Sequence, residues 1–202
     1  MAGLRLGVLG GTFDPVHVGH LILAESARTQ LGLDRVLFIP AGDPWRKAAQ
    51  PITAREHRLA MVERAVADSE WCEVSTVEIE RPGPSYSVDT LVEIEEKYPG
   101  NELVFIVGED ALRDLSNWRD PLRILELATL AVAPRGERRP AAPELDALLP
   151  GLADHVIWID MPRIDISATE LRARAAQGRS LRYLVPGPVE EYIRERGLYQ
   201  QS

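Results

Sequence analysis

The chain has one cysteine, Cys72, in 202 residues, which excludes an intrachain disulfide and a thiol-rich metal cluster. Basic charge is also short. There are 23 Lys and Arg against 31 Asp and Glu, a formal net charge of −8, so a basic face tracking a nucleic-acid backbone is not expected, and neither is a nucleic-acid partner. A small anion needs only a local positive pocket and is not excluded. Long apolar runs are missing: no stretch reaches the ~20 residues that cross a bilayer. The start of the chain has a single Arg and a short apolar run before Asp14, unlike a secretory leader. A cytoplasmic protein with no membrane partner is expected. Two phosphate signatures are absent as well. There is no G-x-x-x-x-G-K-[ST], and no G-x-G-x-x-G after the first strand, which argues against a P-loop kinase and a nicotinamide-dependent dehydrogenase.

What is present is an ordinary globular composition, 45% hydrophobic and 27% charged, in a length that suits one buried core, so residues 1–202 read as a single domain. Val/Ile/Leu-rich runs predict strands at Arg5–Leu9, Arg35–Ile39, Glu73–Ile79, Leu103–Val107, Thr129–Ala133 and His155–Ile159. Helix signals lie between them. Thr53-Ala54-Arg55-Glu56 reads as a capping box, Ser87 as the start of a helix over Val88–Tyr98, Asp120-Pro121 as N-cap and first helical residue, and Pro188 as the start of the last helix. Alternating strands and helices predict an α/β fold, a Rossmann-like doubly wound parallel sheet with a small C-terminal helical part, whose ligands bind at the carboxyl ends of the strands. The segment Gly136–Gly151 reads as a solvated excursion, and Cys72 as a buried, inert thiol.

The most specific feature directly follows the first strand. Gly10-Gly11-Thr12-Phe13-Asp14-Pro15-Val16-His17-Val18-Gly19-His20 turns a strand into a helix through two glycines, where backbone N–H groups approach an anion closely. A helix start adds open N–H donors and a positive dipole end. His17 and His20, three apart, share one helix face. This is a candidate phosphate site. Far along the chain, Ile166-Ser167-Ala168-Thr169-Glu170-Leu171-Arg172 has a capping pair, Ser167 and Glu170, that by itself needs only a well-capped helix. Its hydroxyls, open N–H groups and Arg172 would also make a second phosphate clamp. A triphosphate needs more donors than one loop supplies, and two helix openings facing each other would provide them.

Together these segments resemble the nucleotidyltransferase superfamily, with its H-x-G-H motif and late I-S-S-T-x-x-R motif, and within it the bacterial nicotinate mononucleotide adenylyltransferases. Pro40-x-x-x-Pro44-Trp45-Arg46-Lys47 is similar to that family's proline-rich segment ending in His-Lys. Ser85-Tyr86-Ser87-x-Asp89-Thr90-Leu91 is similar to its S-Y-T-x-D-T-L stretch, and Gly108-x-Asp110-x-Leu112 with Trp118 to its G-x-D-x-L…W segment. Three departures stand out. Trp45-Arg46 replaces the common Pro-His, Ser87 replaces Thr, and Ala168 removes one hydroxyl from the late motif.

The resemblance implies attack by the mononucleotide phosphate on the α-phosphorus of ATP, releasing pyrophosphate. Both reactants are already oxyanions, so positioning and fixed positive groups supply the catalysis. It implies His17, His20, Lys47 and Arg172 as the catalytic set. ATP would lie against Gly10, Gly11, Thr12, Phe13, Gly19, Gly108, Asp110, Ile166, Ser167 and Thr169 as well, and the mononucleotide against Asp14, Arg46, Lys47, Tyr86, Ser87 and Trp118. Mg²⁺ is implied as cofactor, held mainly by substrate phosphates and water, with Asp14 or Asp110 reaching its water shell and no protein ligand assigned. The alternatives are nicotinamide mononucleotide or phosphopantetheine as acceptor, or a nucleotide-binding module without catalysis. Assembly into a homo-oligomer stays open.

Overall fold

A computed structural model describes residues 3–44, 52–136 and 138–200. In chain order the elements are β1 (Arg5–Gly11), α1 (Val18–Leu31), β2 (Arg35–Pro40), α2 (Arg55–Val66), β3 (Cys72–Val74), the single turn α3 (Val77–Glu80), α4 (Ser87–Lys97), β4 (Glu102–Gly108), α5 (Glu109–Arg113), α6 (Pro121–Leu127), β5 (Thr129–Ala133), α7 (Ala142–Leu148), β6 (Val156–Trp158), α8 (Ala168–Ala176) and α9 (Gly187–Glu195). The six strands pair in parallel in the order β3-β2-β1-β4-β5-β6. This is the Rossmann-like doubly wound sheet expected from the alternation of strands and helices. Winding reverses between β1 and β4, and the crevice outside their carboxyl ends is where such sheets bind ligands.

Alternate residues of each strand serve opposite faces, so a strand covered on both sides is apolar throughout. In β2, Val36 and Phe38 join one core with Met61 and Val62 of α2 and Val189 and Ile193 of α9. Leu37 and Ile39 join the other, with Leu91 and Ile94 of α4 and Ile124 of α6. The C-terminal helices thus complete one face of the sheet rather than standing apart from it.

Several local expectations are corrected. The strand predicted over Glu73–Ile79 ends at Val74, and the next residues turn into α3. Val-Glu-Ile-Glu alternates like a strand, but Glu78 is buried and accepts a hydrogen bond from the Thr90 hydroxyl at 2.7 Å, while its carbonyl lies against Gly42 so closely that a Cβ there would come within 1.9 Å. The excursion 136–151 contains α7, which buries Leu145. The N-cap of α2 is Ala54, one residue beyond the predicted Thr53, and α4 begins at Ser87 with Tyr86 as its cap. Asp120 caps α6 as expected but in a left-handed conformation (φ 44°) with no side-chain bond. Cys72 opens β3 half-buried, and burial raises its thiol pKa. No helix among the described residues is long and apolar enough to cross a membrane.

Candidate active site

Gly10 and Gly108 stand at or beside the carboxyl ends of the neighbouring strands β1 and β4, and a Cβ built on either meets no atom within 4 Å. Among the described residues no packing requires glycine at either position. After Gly11 the chain passes through Phe13, buried with a left-handed φ of 50°, and a cis Asp14–Pro15 bond, to His17 at the N-cap of α1. His17 and His20 stack at 3.7 Å between ring centroids. The His17 backbone N–H donates to His20 Nδ1 at 3.1 Å. An accepting Nδ1 leaves Nε2 as the donor nitrogen of this ring. Gly19 has a specific reason: a Cβ there would lie 3.1 Å from His17 Nδ1, so glycine leaves room for that ring to fold over the first turn.

The second helix opening is seated on the first. Arg172 of α8 donates from Nη1 to the Asp14 carbonyl at 2.8 Å and from Nη2 toward Thr169 Oγ1 at 3.4 Å. Ile164, just before α8, packs near Gly19. Ser167 caps α8, accepting the Glu170 N–H at 3.2 Å while its hydroxyl donates to the Glu170 carboxylate at 2.8 Å. Two of the five N–H donors of Arg172 are in these bonds. Ala168 occupies the first position of α8, so the hydroxyls of this opening are those of Ser167 and Thr169.

Around the start of α4, the Ser85 hydroxyl accepts the N–H groups of Gly42 and Asp43 at 3.1 and 3.2 Å, fixing the exit of β2 to this helix. Arg119 pairs with Asp89 at 3.1 Å and lies 4.9 Å over the Tyr86 ring. Trp118, its chain neighbour, donates its indole N–H to Asp114 at 3.2 Å and meets Phe105 edge-on. Tyr86, Ser87 and Trp118 therefore share one neighbourhood. Asp110 follows Gly108 with an exposed carboxylate paired to Arg135. Asp14 is turned inward instead: it is buried, with Oδ1 accepting the Tyr199 hydroxyl at 2.7 Å and Oδ2 the Thr53 N–H at 3.1 Å. Arg46 and Lys47 lie outside the described residues.

Burial lowers the pKa of His17 to about 4, so its ring is neutral near pH 7. The unfolded chain takes up this proton near 6.5, so between 6.5 and about 4 it binds more protons than the folded protein. The stability gained by keeping His17 neutral is complete above pH 6.5 and falls through this window, by about 3 kcal/mol at most. Melting curves from pH 7 to pH 4 for the parent and for His17→Gln should diverge, the parent losing more. Parallel curves would refute the assignment.

Residues 8–174 match the cytidylyltransferase-like family model. A Thermomicrobium roseum protein described as a probable nicotinate-nucleotide adenylyltransferase is 48% identical over 97% of this chain and 92% of its own length. A Roseiflexus protein with the same description is 48% identical over 99% of this chain and 100% of its own. This chain belongs to the nicotinate-nucleotide adenylyltransferase family. Its fold is similar to that of Plasmodium falciparum nicotinic acid mononucleotide adenylyltransferase solved with NaAD, with a TM-score of 0.78 at 16% identity over 97% of each chain.

For a nicotinate-nucleotide adenylyltransferase, the donor set also bears on the implied Mg²⁺. Among the described residues no group of three or more His, Cys, Asp or Glu is placed to cage a metal, and the Asp14 carboxylate is already engaged. Asp110, two residues after Gly108, has an exposed carboxylate paired with Arg135. This set fits a Mg²⁺ that would be held mainly by substrate phosphates and water, with Asp110 able to reach its water shell. Two residues that bear on this adenylyltransferase site escaped the sequence reading. Tyr199 carried no local signal. Arg58 did: it stands three, four and seven residues before Met61, Val62 and Ala65, a charged residue on the buried stripe of α2.

Proposed function

We propose that this protein transfers the adenylyl group of ATP to nicotinate mononucleotide, forming deamido-NAD and pyrophosphate in NAD biosynthesis, within one domain spanning residues 1–202. The single observation carrying this reading is the bond from Arg172 to the Asp14 carbonyl, because it brings the opening of α8 to the loop that leads into His17 and His20. An oxygen of the mononucleotide phosphate attacks the α-phosphorus of ATP. A new P–O–P bond forms as the bond from Pα to the bridging oxygen breaks, and pyrophosphate leaves with the electron pair. No side-chain nucleophile is needed. The backbone at Gly10–Thr12 and Gly108 receives ATP along the ends of β1 and β4. His20 Nε2–H and His17 meet charge developing on the α-phosphate, Arg172 holds the β- and γ-phosphates, and Lys47 takes up charge shared between the two reactants. When bound, Mg²⁺ neutralises part of the charge on the triphosphate and its leaving group.

On the acceptor side, Trp118 stacks on the pyridine ring, and backbone N–H groups near Tyr86 and Ser87 at the start of α4 receive the nicotinate carboxylate. A neutral carboxamide gains much less there, which is the basis for preferring the acid. The deciding assay follows pyrophosphate release and dinucleotide formation from ATP with nicotinate mononucleotide, nicotinamide mononucleotide or phosphopantetheine. Turnover should be fastest with the first. No turnover with any acceptor, with ATP bound, would make the protein a nucleotide-binding module. Trp118→Ala should raise KM for the mononucleotide about tenfold or more, in keeping with a stacking contact of 1–3 kcal/mol, and leave KM for ATP near the parent value. Equal effects on both would remove the stacking role.

A further inference from the structure

Arg58 is only 1% exposed and donates to three backbone carbonyls from three separate segments. Nη1 reaches Thr12 at 2.8 Å, Nη2 reaches Gly42 at 3.1 Å and Nε reaches Thr53 at 2.9 Å. Thr12 lies in the glycine turn, Gly42 follows β2, and Thr53 precedes α2. Gly42 and Thr53 also flank the stretch of sequence that holds Arg46 and Lys47. The Thr53 peptide is held from both sides, since its N–H donates to the buried Asp14 carboxylate.

Removing a guanidinium from water is costly, and for stability alone an apolar side chain filling the same space often serves as well. An apolar side chain would leave three carbonyls without donors and their segments without a common anchor. We infer that Arg58 is a positioning residue for catalysis: its fork sets the glycine turn at the end of β1 against the exits of β2 and the start of α2, and so sets where that turn presents ATP to its acceptor. This inference rests on the adenylyl-transfer reading. A shift of ~1 Å among reacting groups costs about 10²-fold in rate. A lysine cannot reproduce the planar fork, because its ammonium is a point charge on a flexible stem.

The test compares Arg58→Lys with the parent and with Arg64→Lys. Arg64 is an exposed residue on the same helix that donates to Ala60 and lies over Tyr192. All three are assayed at a temperature where near-ultraviolet circular dichroism shows them folded. Arg58→Lys should lose about 10²-fold in kcat/KM, almost all of it in kcat, with KM for ATP changed by less than about threefold; Arg64→Lys should match the parent. Turnover of folded Arg58→Lys within twofold of the parent would overturn the inference, as would a loss confined to KM or one that vanishes once corrected for the unfolded fraction. If Lys is not tolerated, Arg58→Gln, which keeps two donors without the charge, is measured the same way. Failure of both to fold makes Arg58 a stability residue and overturns the inference. An inactive parent instead refutes the adenylyl-transfer reading itself.

Discussion

His20→Ala is expected to lower turnover by about 10²–10³-fold, the loss seen when one preorganised donor to a developing oxyanion is removed. The residue has two separable jobs. Its Nδ1 accepts the His17 N–H and caps α1, while in the proposed mechanism its Nε2–H meets the charge developing on the α-phosphate. Alanine removes both, and the unpaired amide should cost about 1 kcal/mol of stability in addition. His20→Asn separates them, because the side-chain oxygen of Asn can replace Nδ1 as a cap but offers nothing at the distance of Nε2. Asn should restore the melting temperature without restoring kcat. Unchanged turnover in either variant, measured as pyrophosphate release with ATP and nicotinate mononucleotide, would remove His20 from the chemistry. Full recovery by Asn would reduce it to a capping residue.

Arg172→Ala should be nearly as severe and should also show in stability. The guanidinium joins α8 to the Asp14 carbonyl at 2.8 Å, and losing the donor leaves a partly buried acceptor unpaired, at about 1–3 kcal/mol. In the proposed role at the β- and γ-phosphates, losing its charge should lower kcat/KM for ATP by about 10²–10³-fold. Arg172→Lys keeps the charge but not the fork, so one of the two contacts must be given up; it should fall between parent and Ala in both properties. The informative measurement is the pair of KM values. KM for ATP should rise, and KM for the mononucleotide should stay near the parent value. A variant that melts lower yet binds and turns over ATP normally would show Arg172 to be a structural tie only.

The legible parts of this molecule are those in which local sequence and final structure ask for the same residue. After their first residues, Arg35 and Glu102, β2 and β4 are apolar because they are covered on both faces, and a run of that kind is plain in the sequence. Ser167 was legible because a cap needs its hydroxyl whatever surrounds it. Val77–Glu80 was not, since alternation over four residues suits a strand or a helical turn equally, and only the burial of Glu78 against Thr90 decides between them. The inward turn of Asp14 was not legible for a related reason. A carboxylate in a phosphate loop suggests a ligand contact, but the Tyr199 hydroxyl, 185 residues away in sequence, takes it inward.

By itself the sequence determined the parallel α/β architecture and the order of its six strands, and it supplied the histidines, the glycines and the late arginine, since periodicity and turn chemistry are local properties. Tertiary structure decided which of these groups face one another: Arg172 on the Asp14 carbonyl, Arg58 on three carbonyls, and Tyr199 on the Asp14 carboxylate. Those contacts join residues 5 to 185 positions apart. The long-range ones form only when α2 and the C-terminal helices pack together on one face of the sheet beside the first strand's loop, so no local pattern encodes them.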